Sequence, residues 1–141
     1  MSLDLAAAQK IVDAALAYAV AHGLKPMAIG VIDARGALKT YAAQDGTSLK
    51  RGEIALGKAN GAVALGVGSR ALMKRAETQG YFITAATAAI GGSLVPVPGG
   101  VLVKSNGVII GAVGVSGDTS DNDEAMAVAG ILATGFEADG G

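Results

Sequence analysis

The stretch from Pro96 to Gly117, PVPGGVLVKSNGVIIGAVGVSG, constrains the fold of this chain more than any other. Two apolar, β-branched runs, Val101–Val103 and Val108–Val115, are joined by Ser105-Asn106-Gly107. Asn-Gly between such runs specifies a tight hairpin, because both residues accept the positive φ that a two-residue turn requires. Gly99-Gly100 opens the first strand, where the absence of a Cβ lets a backbone or a ligand come close. The hairpin is expected at the centre of a sheet, with the other elements packed on it.

The rest of the chain alternates between helical and strand periodicities. Ser2 or Asp4 can start a helix carrying Ile11, Val12, Ala15, Leu16, Ala19 and Val20 at three-to-four spacing, with Gly23 as its C-terminal cap. Met27–Ile32 and Ala37–Ala42 read as a second hairpin around Asp33-Ala34-Arg35-Gly36, and Gln44–Lys50 as a polar loop. A second helix fits Arg51–Leu65, where Ala55, Ala59, Ala62 and Gly66 permit close approach to a neighbour. Ser69 can cap a shorter helix from Arg70 to about Glu77. Tyr81–Ile90 accommodates a helix or a buried strand equally, and Leu94–Val97 reads as a short strand. A last helix starts at Ser120, with Asp123 in capping-box spacing, and continues to about Phe136; Glu137–Gly141 is expected to fray. The chain reads as one domain over residues 1–141, of α+β class, with a largely antiparallel sheet.

Composition narrows the function classes. The hydrophobic fraction is 51% but only 4% is aromatic, so the core is built from Ala, Val, Ile and Leu. A formal charge of −1 offers no basic footprint for nucleic acid. With no cysteine there is no disulfide, thiolate metal site or cysteine nucleophile. No run is long enough for a membrane span and no signal-like segment is present, so a cytoplasmic protein is expected. Charged residues make up 16% of the chain, and the Ala-rich helices suggest a homo-oligomer, a dimer or larger, with a helix face buried between copies.

Several segments together resemble the GlcG/HbpS family. They are Asp33-Ala-Arg-Gly-Ala-Leu, Asp45-Gly46, Lys58-Ala59, Pro98-Gly99-Gly100-Val101, Ile110–Gly117 and Asp123-Glu124-Ala125. That family comprises GlcG-like proteins, haem-binding HbpS proteins and the C-terminal domain of PduO-type proteins. The resemblance spans the chain. It implies a profilin-like α/β/α sandwich around a five-stranded sheet, assembly into dimers or larger oligomers, and haem binding in some members.

The chemical inventory is small. His22, the sole histidine, sits where a cation favours the end of the first helix; axial ligation of haem is its other reading. The methionines could ligate iron, but Met27, Met73 and Met126 fit core positions; Tyr81 could be an iron ligand or an acid, but fits a half-buried aromatic better. Gly66-Val67-Gly68-Ser69 precedes a helix and is a short, weak phosphate pattern. Asp118, Asp121, Asp123 and Glu124 are better placed for helix capping than for a metal. The ligand-binding candidates are Arg51, Lys58, Gly99, Gly100, Asp121, Asp123 and Glu124. In an antiparallel hairpin the start of the first strand and the end of the second share one sheet edge, which brings the two glycines to the acidic helix start. Lys58, Glu53 and Asp45 are the candidate proton carriers. Two functions follow: an oligomer that binds haem or a small carboxylate, or a small cofactor-independent isomerase, lyase or hydrolase.

Overall fold

A computed structural model describes residues 2–141. In chain order the elements are α1 (Leu5–Ala21), β1 (Ala28–Asp33), β2 (Leu38–Ala43), α2 (Arg51–Leu65), α3 (Ser69–Thr78), α4 (Gly80–Ala89), β3 (Gly100–Ser105), β4 (Val108–Ser116), α5 (Ser120–Leu132) and β5 (Glu137–Asp139). The five strands form one sheet in the order β2-β1-β4-β3-β5, and every pairing is antiparallel. The β3–β4 hairpin lies inside the sheet, with β4 as its central strand. Its turn has Asn106 at φ 51° and Gly107 at φ 76°, the left-handed pair that Asn-Gly supplies.

Alternation along the strands divides the core into two layers. On one face Ile29, Val31, Val101, Val103, Val113 and Val115 pack against Ile11, Val12 and Ala15 of α1 and Met126, Ala127 and Ile131 of α5. On the other, Ile32, Leu102 and Ala112 meet Ala59 and Ala62 of α2. The result is an α/β/α sandwich of α+β class. α3 and α4 flank it around a smaller cluster of Leu72, Ile83 and Leu94.

The helix α2 lies unusually deep. Gly30, Gly114 and Gly100 are register partners across three adjacent strands, so they form a row of missing side chains under this helix. A Cβ on Gly114 would overlap the Ala55 carbonyl oxygen, and one on Gly100 would overlap that of Lys58. Backbone therefore rests on backbone. The helix brings its own small residues, Ala55, Ala59 and Ala62, each fully buried.

Five sequence expectations change. Leu94–Val97 is no strand: it crosses α2 opposite Gly57 and Gly61, with Val95 N–H donating to the Gly57 carbonyl at 3.1 Å. Pro96 and Pro98 remove the donors a ladder would need. Ser69 does not cap α3; Gly68 holds that position, because the Ser69 hydroxyl is spent on Gly100. The capping box at Ser120 is absent, and Thr119 caps α5 instead by accepting from Asn122 N–H at 3.2 Å. α5 stops at Leu132, and Glu137–Gly141, expected to fray, instead supplies β5. There Lys104 pairs with Asp139 at 2.6 Å, and Gly107 N–H donates to Glu137 at 3.0 Å. The ambiguous segment at Tyr81–Ile90 is helical, as α4.

The close seat of α2 makes a measurable contrast. Gly114→Ala forces one backbone away from another and should cost about 1–3 kcal/mol, the usual range for overpacking. Gly30→Ala meets only the tip of Leu56, at 2.6 Å, which can turn aside. Urea denaturation of the two variants should therefore show a clearly lower midpoint for Gly114→Ala alone.

Candidate functional site

The end of the sheet where β1 begins and β4 ends gathers most of the chemistry. Lys58 leaves α2 on one face of the sheet, passes the start of β3 and reaches Asp123 of α5 on the other. Its Nζ donates to Asp123 Oδ2 and to the Val115 carbonyl, both at 2.9 Å. Both side chains of the pair are 2% exposed. The passage exists because Gly99 has no side chain: a Cβ there would stand 2.8 Å from Nζ, and its φ of +122° excludes other residues as well. Asp123 Oδ1 accepts from Asp118 N–H at 3.0 Å, so both carboxylate oxygens are engaged.

Burial opposes charge on this pair. Desolvation pushes the Lys58 ammonium down from its ordinary value, against the hydrogen bond and attraction of Asp123, and the nearby Arg51 charge lowers it further. Desolvation likewise pushes the Asp123 carboxyl up, against the hydrogen bond and charge of Lys58. A pair so enclosed is an internal tie between the two helical layers.

The remaining candidates have separate partners. Arg51 donates to Ser48 Oγ at 3.3 Å and to Ser116 Oγ at 3.2 Å, at the mouth of the same end. Asp121 and Glu124 both bind Arg70 of α3, Glu124 at 3.0 Å. Gly100 is locked by Ser69, whose Oγ accepts from Gly100 N–H at 2.7 Å and donates to its carbonyl at 3.2 Å. Gly99, Gly100, Lys58 and Asp123 thus come together, with Arg51 beside them, and the space between them holds Lys58 and Ser69 themselves. Glu53 and Asp45 lie on the surface outside this group; Glu53 is 4.0 Å from Lys50.

The phosphate reading of Gly66–Ser69 is overturned by the same packing. Gly68 lies under Gly140 and Gly141, and Arg70 N–H donates to the Gly140 carbonyl at 3.1 Å. The donors at the start of α3 are therefore covered by the chain's own end. The acidic residues around α5 are divided just as firmly. Asp118 takes Lys25 N–H, Asn122 and Thr119 N–H, which hold its carboxyl down at about 2.

His22 is arranged differently. It closes α1 with its ring stacked on Tyr18, centroids 3.9 Å apart. Its Nδ1 lies 2.9 Å from the Tyr18 carbonyl. A carbonyl only accepts, so Nδ1 carries the proton in the neutral ring and Nε2 keeps its lone pair. The ring is exposed, and among the described residues Nε2 has no partner.

Comparison with known proteins places this arrangement. The model of the HbpS-like family, described as haem degrading protein HbpS-like, matches residues 3–132. The chain belongs to the HbpS-like family. Its fold is similar to that of the PduOC:heme complex, with a TM-score of 0.87 at 23% identity over 97% of this chain and 98% of that one. The Klebsiella pneumoniae protein ORFY, of family DUF336, matches at TM-score 0.84 and 26% identity, over 93% and 89%. A double mutant of HbpS from Streptomyces reticuli matches at 0.79 and 28%, over 94% and 86%. No curated protein sequence matches this chain.

In this HbpS-like domain, sequence reasoning missed the partners of Ser69, Arg70 and Ser116, which lie 31 to 65 residues away. No local pattern signals such contacts. The Tyr18–His22 stack was within reach, because residues four apart share a helix face.

Two outcomes follow. Lys58→Met strands a buried carboxylate and should lower stability by about 3–5 kcal/mol, whereas Lys58→Met combined with Asp123→Leu should recover most of that loss in denaturant titrations. Asp118, depressed from 3.8 to about 2, contributes stability that is complete above its unfolded value and vanishes as pH falls through its folded one. Melting temperatures measured from pH 5 down to about 2 should therefore fall less steeply for Asp118→Asn than for the parent.

Proposed function

We propose that this HbpS-like protein binds a small ligand of the haem class through His22, in an assembly of two or more copies. The observation that carries this reading is the histidine itself. Its Nδ1 is committed to the Tyr18 carbonyl, its Nε2 is free, and its ring is braced by Tyr18. Histidines that ligate metals commonly donate their other ring nitrogen to a carbonyl or carboxylate, which fixes both tautomer and orientation. The residues fit the group. Tyr18, one turn back on the same helix face, holds the ring and adds an aromatic surface beside the ligating nitrogen. When bound, an iron porphyrin supplies redox and gas-ligand chemistry that no side chain of this chain possesses.

The names of the relatives point the same way, since PduOC was crystallised with heme and the family description concerns haem. Proton transfer on a carboxylate draws less support. Lys58 and Asp123 are sealed against each other, and Glu53 and Asp45 stand apart from them. Arg51, Gly99, Gly100, Asp121 and Glu124 serve in this reading as the walls that hold the ligand-bearing end in shape.

Titration with hemin tests it. The parent should give a sharpened, shifted Soret band that saturates, and His22→Ala should abolish that shift while melting at nearly the same temperature. An identical band in His22→Ala would overturn the assignment. Light scattering should give a mass of at least twice the 13.7 kDa of one chain.

A further inference from the structure

The sheet ends differently at its two sides, in the three-residue β5 beyond β3 and in the six-residue β2 beyond β1. The outer edge of β3 is closed along its length. Ser69 Oγ takes both main-chain groups of Gly100, and β5 then pairs Leu102 with Asp139 and Lys104 with Glu137. At the opposite side, β2 has β1 on one side and, among the described residues, no strand on its far side. An open edge offers unpaired N–H and C=O groups to another strand. Leu38 and Tyr41 along it are 53% and 43% exposed.

We propose that β2 docks a second copy of this chain, β2 against β2, antiparallel about a two-fold axis at Ala42. The register follows from the ladder. Gln44 N–H donates to the Met27 carbonyl, and hydrogen-bonded pairs alternate along an antiparallel ladder, so Ala42 and Thr40 turn their main-chain groups toward β1. Tyr41 and Ala43 therefore turn theirs outward. An axis at Ala42 places Tyr41 of each copy opposite Ala43 of the other, and two such pairs exchange four hydrogen bonds. An axis at Tyr41 would bring the outward groups of Ala43 onto Lys39, where the β1–β2 register shifts, and would lose half of them.

Charge agrees with this register. Tyr41-Ala42-Ala43 carries none, so no like charges face each other across the axis. At the ends of the contact, Lys39 of one copy meets the position of Asp45 of the other, and the two are opposite in sign. The interface is isologous and closes on itself, as a two-fold dimer must. The two five-stranded sheets become one.

This surface rests on the assembly proposed above, and the experiment separates the two. The chain has no cysteine, so Ala42→Cys introduces a single thiol. At the axis its Cα would lie about 4.5 Å from its copy, within disulfide range. Under mild oxidation, Ala42→Cys should convert almost completely to a reductant-sensitive species of twice 13.7 kDa, while Ala17→Cys, exposed on α1, should form only traces. Ala43→Pro removes an outward N–H that β1 does not use, and should halve the dimer's mass in light scattering with unchanged circular dichroism. A parent protein that scatters as a dimer, yet whose Ala42→Cys variant cross-links no better than Ala17→Cys, overturns this surface and leaves the assembly standing. A parent mass of 13.7 kDa overturns both.

Discussion

The structure depends on one close approach, that of α2 to the sheet. Where Gly30, Gly114 and Gly100 line up across three strands, the helix backbone descends onto the strand backbone, with carbonyl oxygens of Ala55 and Lys58 in the space that side chains would fill. Dispersion contacts are short-ranged, so removing the Cβ layer from the strands and keeping only methyl groups on the helix increases what each pair of atoms gains. A domain with 4% aromatic residues has few large side chains with which to fill a wide gap. It closes the gap instead. The strap from Leu94 to Val97 repeats the device on the outer side of α2, at Gly57 and Gly61.

That depth also determines what Lys58 can do. From a helix held at ordinary distance, a lysine would end beside the sheet in solvent. From α2 it slips past Gly99 and meets Asp123 and the Val115 carbonyl beyond the strand ends. Two opposite charges in a dry setting are no efficient source of stability, since desolvation offsets much of their attraction. Their value is geometric, because only one arrangement of α2, β3, β4 and α5 satisfies all their hydrogen bonds. The same end of the sheet is left with a stiff floor. At the end of α1, His22 holds its Nδ1 on the Tyr18 carbonyl, and among the described residues its Nε2 has no partner.

Much of this was legible beforehand where the signals are local. The Asn106-Gly107 hairpin, the bounds of α2 from Arg51 to Leu65, and the meeting of Gly99-Gly100 with the start of α5 all follow from turn chemistry, periodicity and antiparallel geometry. The meaning of that meeting was not legible. Asp123 has the spacing of a capping residue, yet it turns inward, and Ser69 has the look of a cap, yet it closes a strand edge. A short polar side chain bonds with whatever buried group it reaches, and its neighbours in sequence cannot say which group that will be. The tail from Glu137 to Gly141 misled for a related reason: it gains order from the edge of β3 and from the start of α3, both far away in sequence.

The sequence by itself determined the types of α1, α2, α3, α5 and β1 to β4, the antiparallel character of the sheet and the family, because glycine, proline and the apolar period act on the chain within a few residues of themselves. Only the tertiary structure decided the partners of the charged and hydroxyl side chains. Lys58 and Asp123 are 65 residues apart, and their pairing depends on two helices lying on opposite faces of one sheet. Hydrogen bonds and ion pairs are made at about 3 Å, so they report the final placement of every element that carries them. A hydrophobic pattern tolerates small shifts in that placement. A buried charge does not.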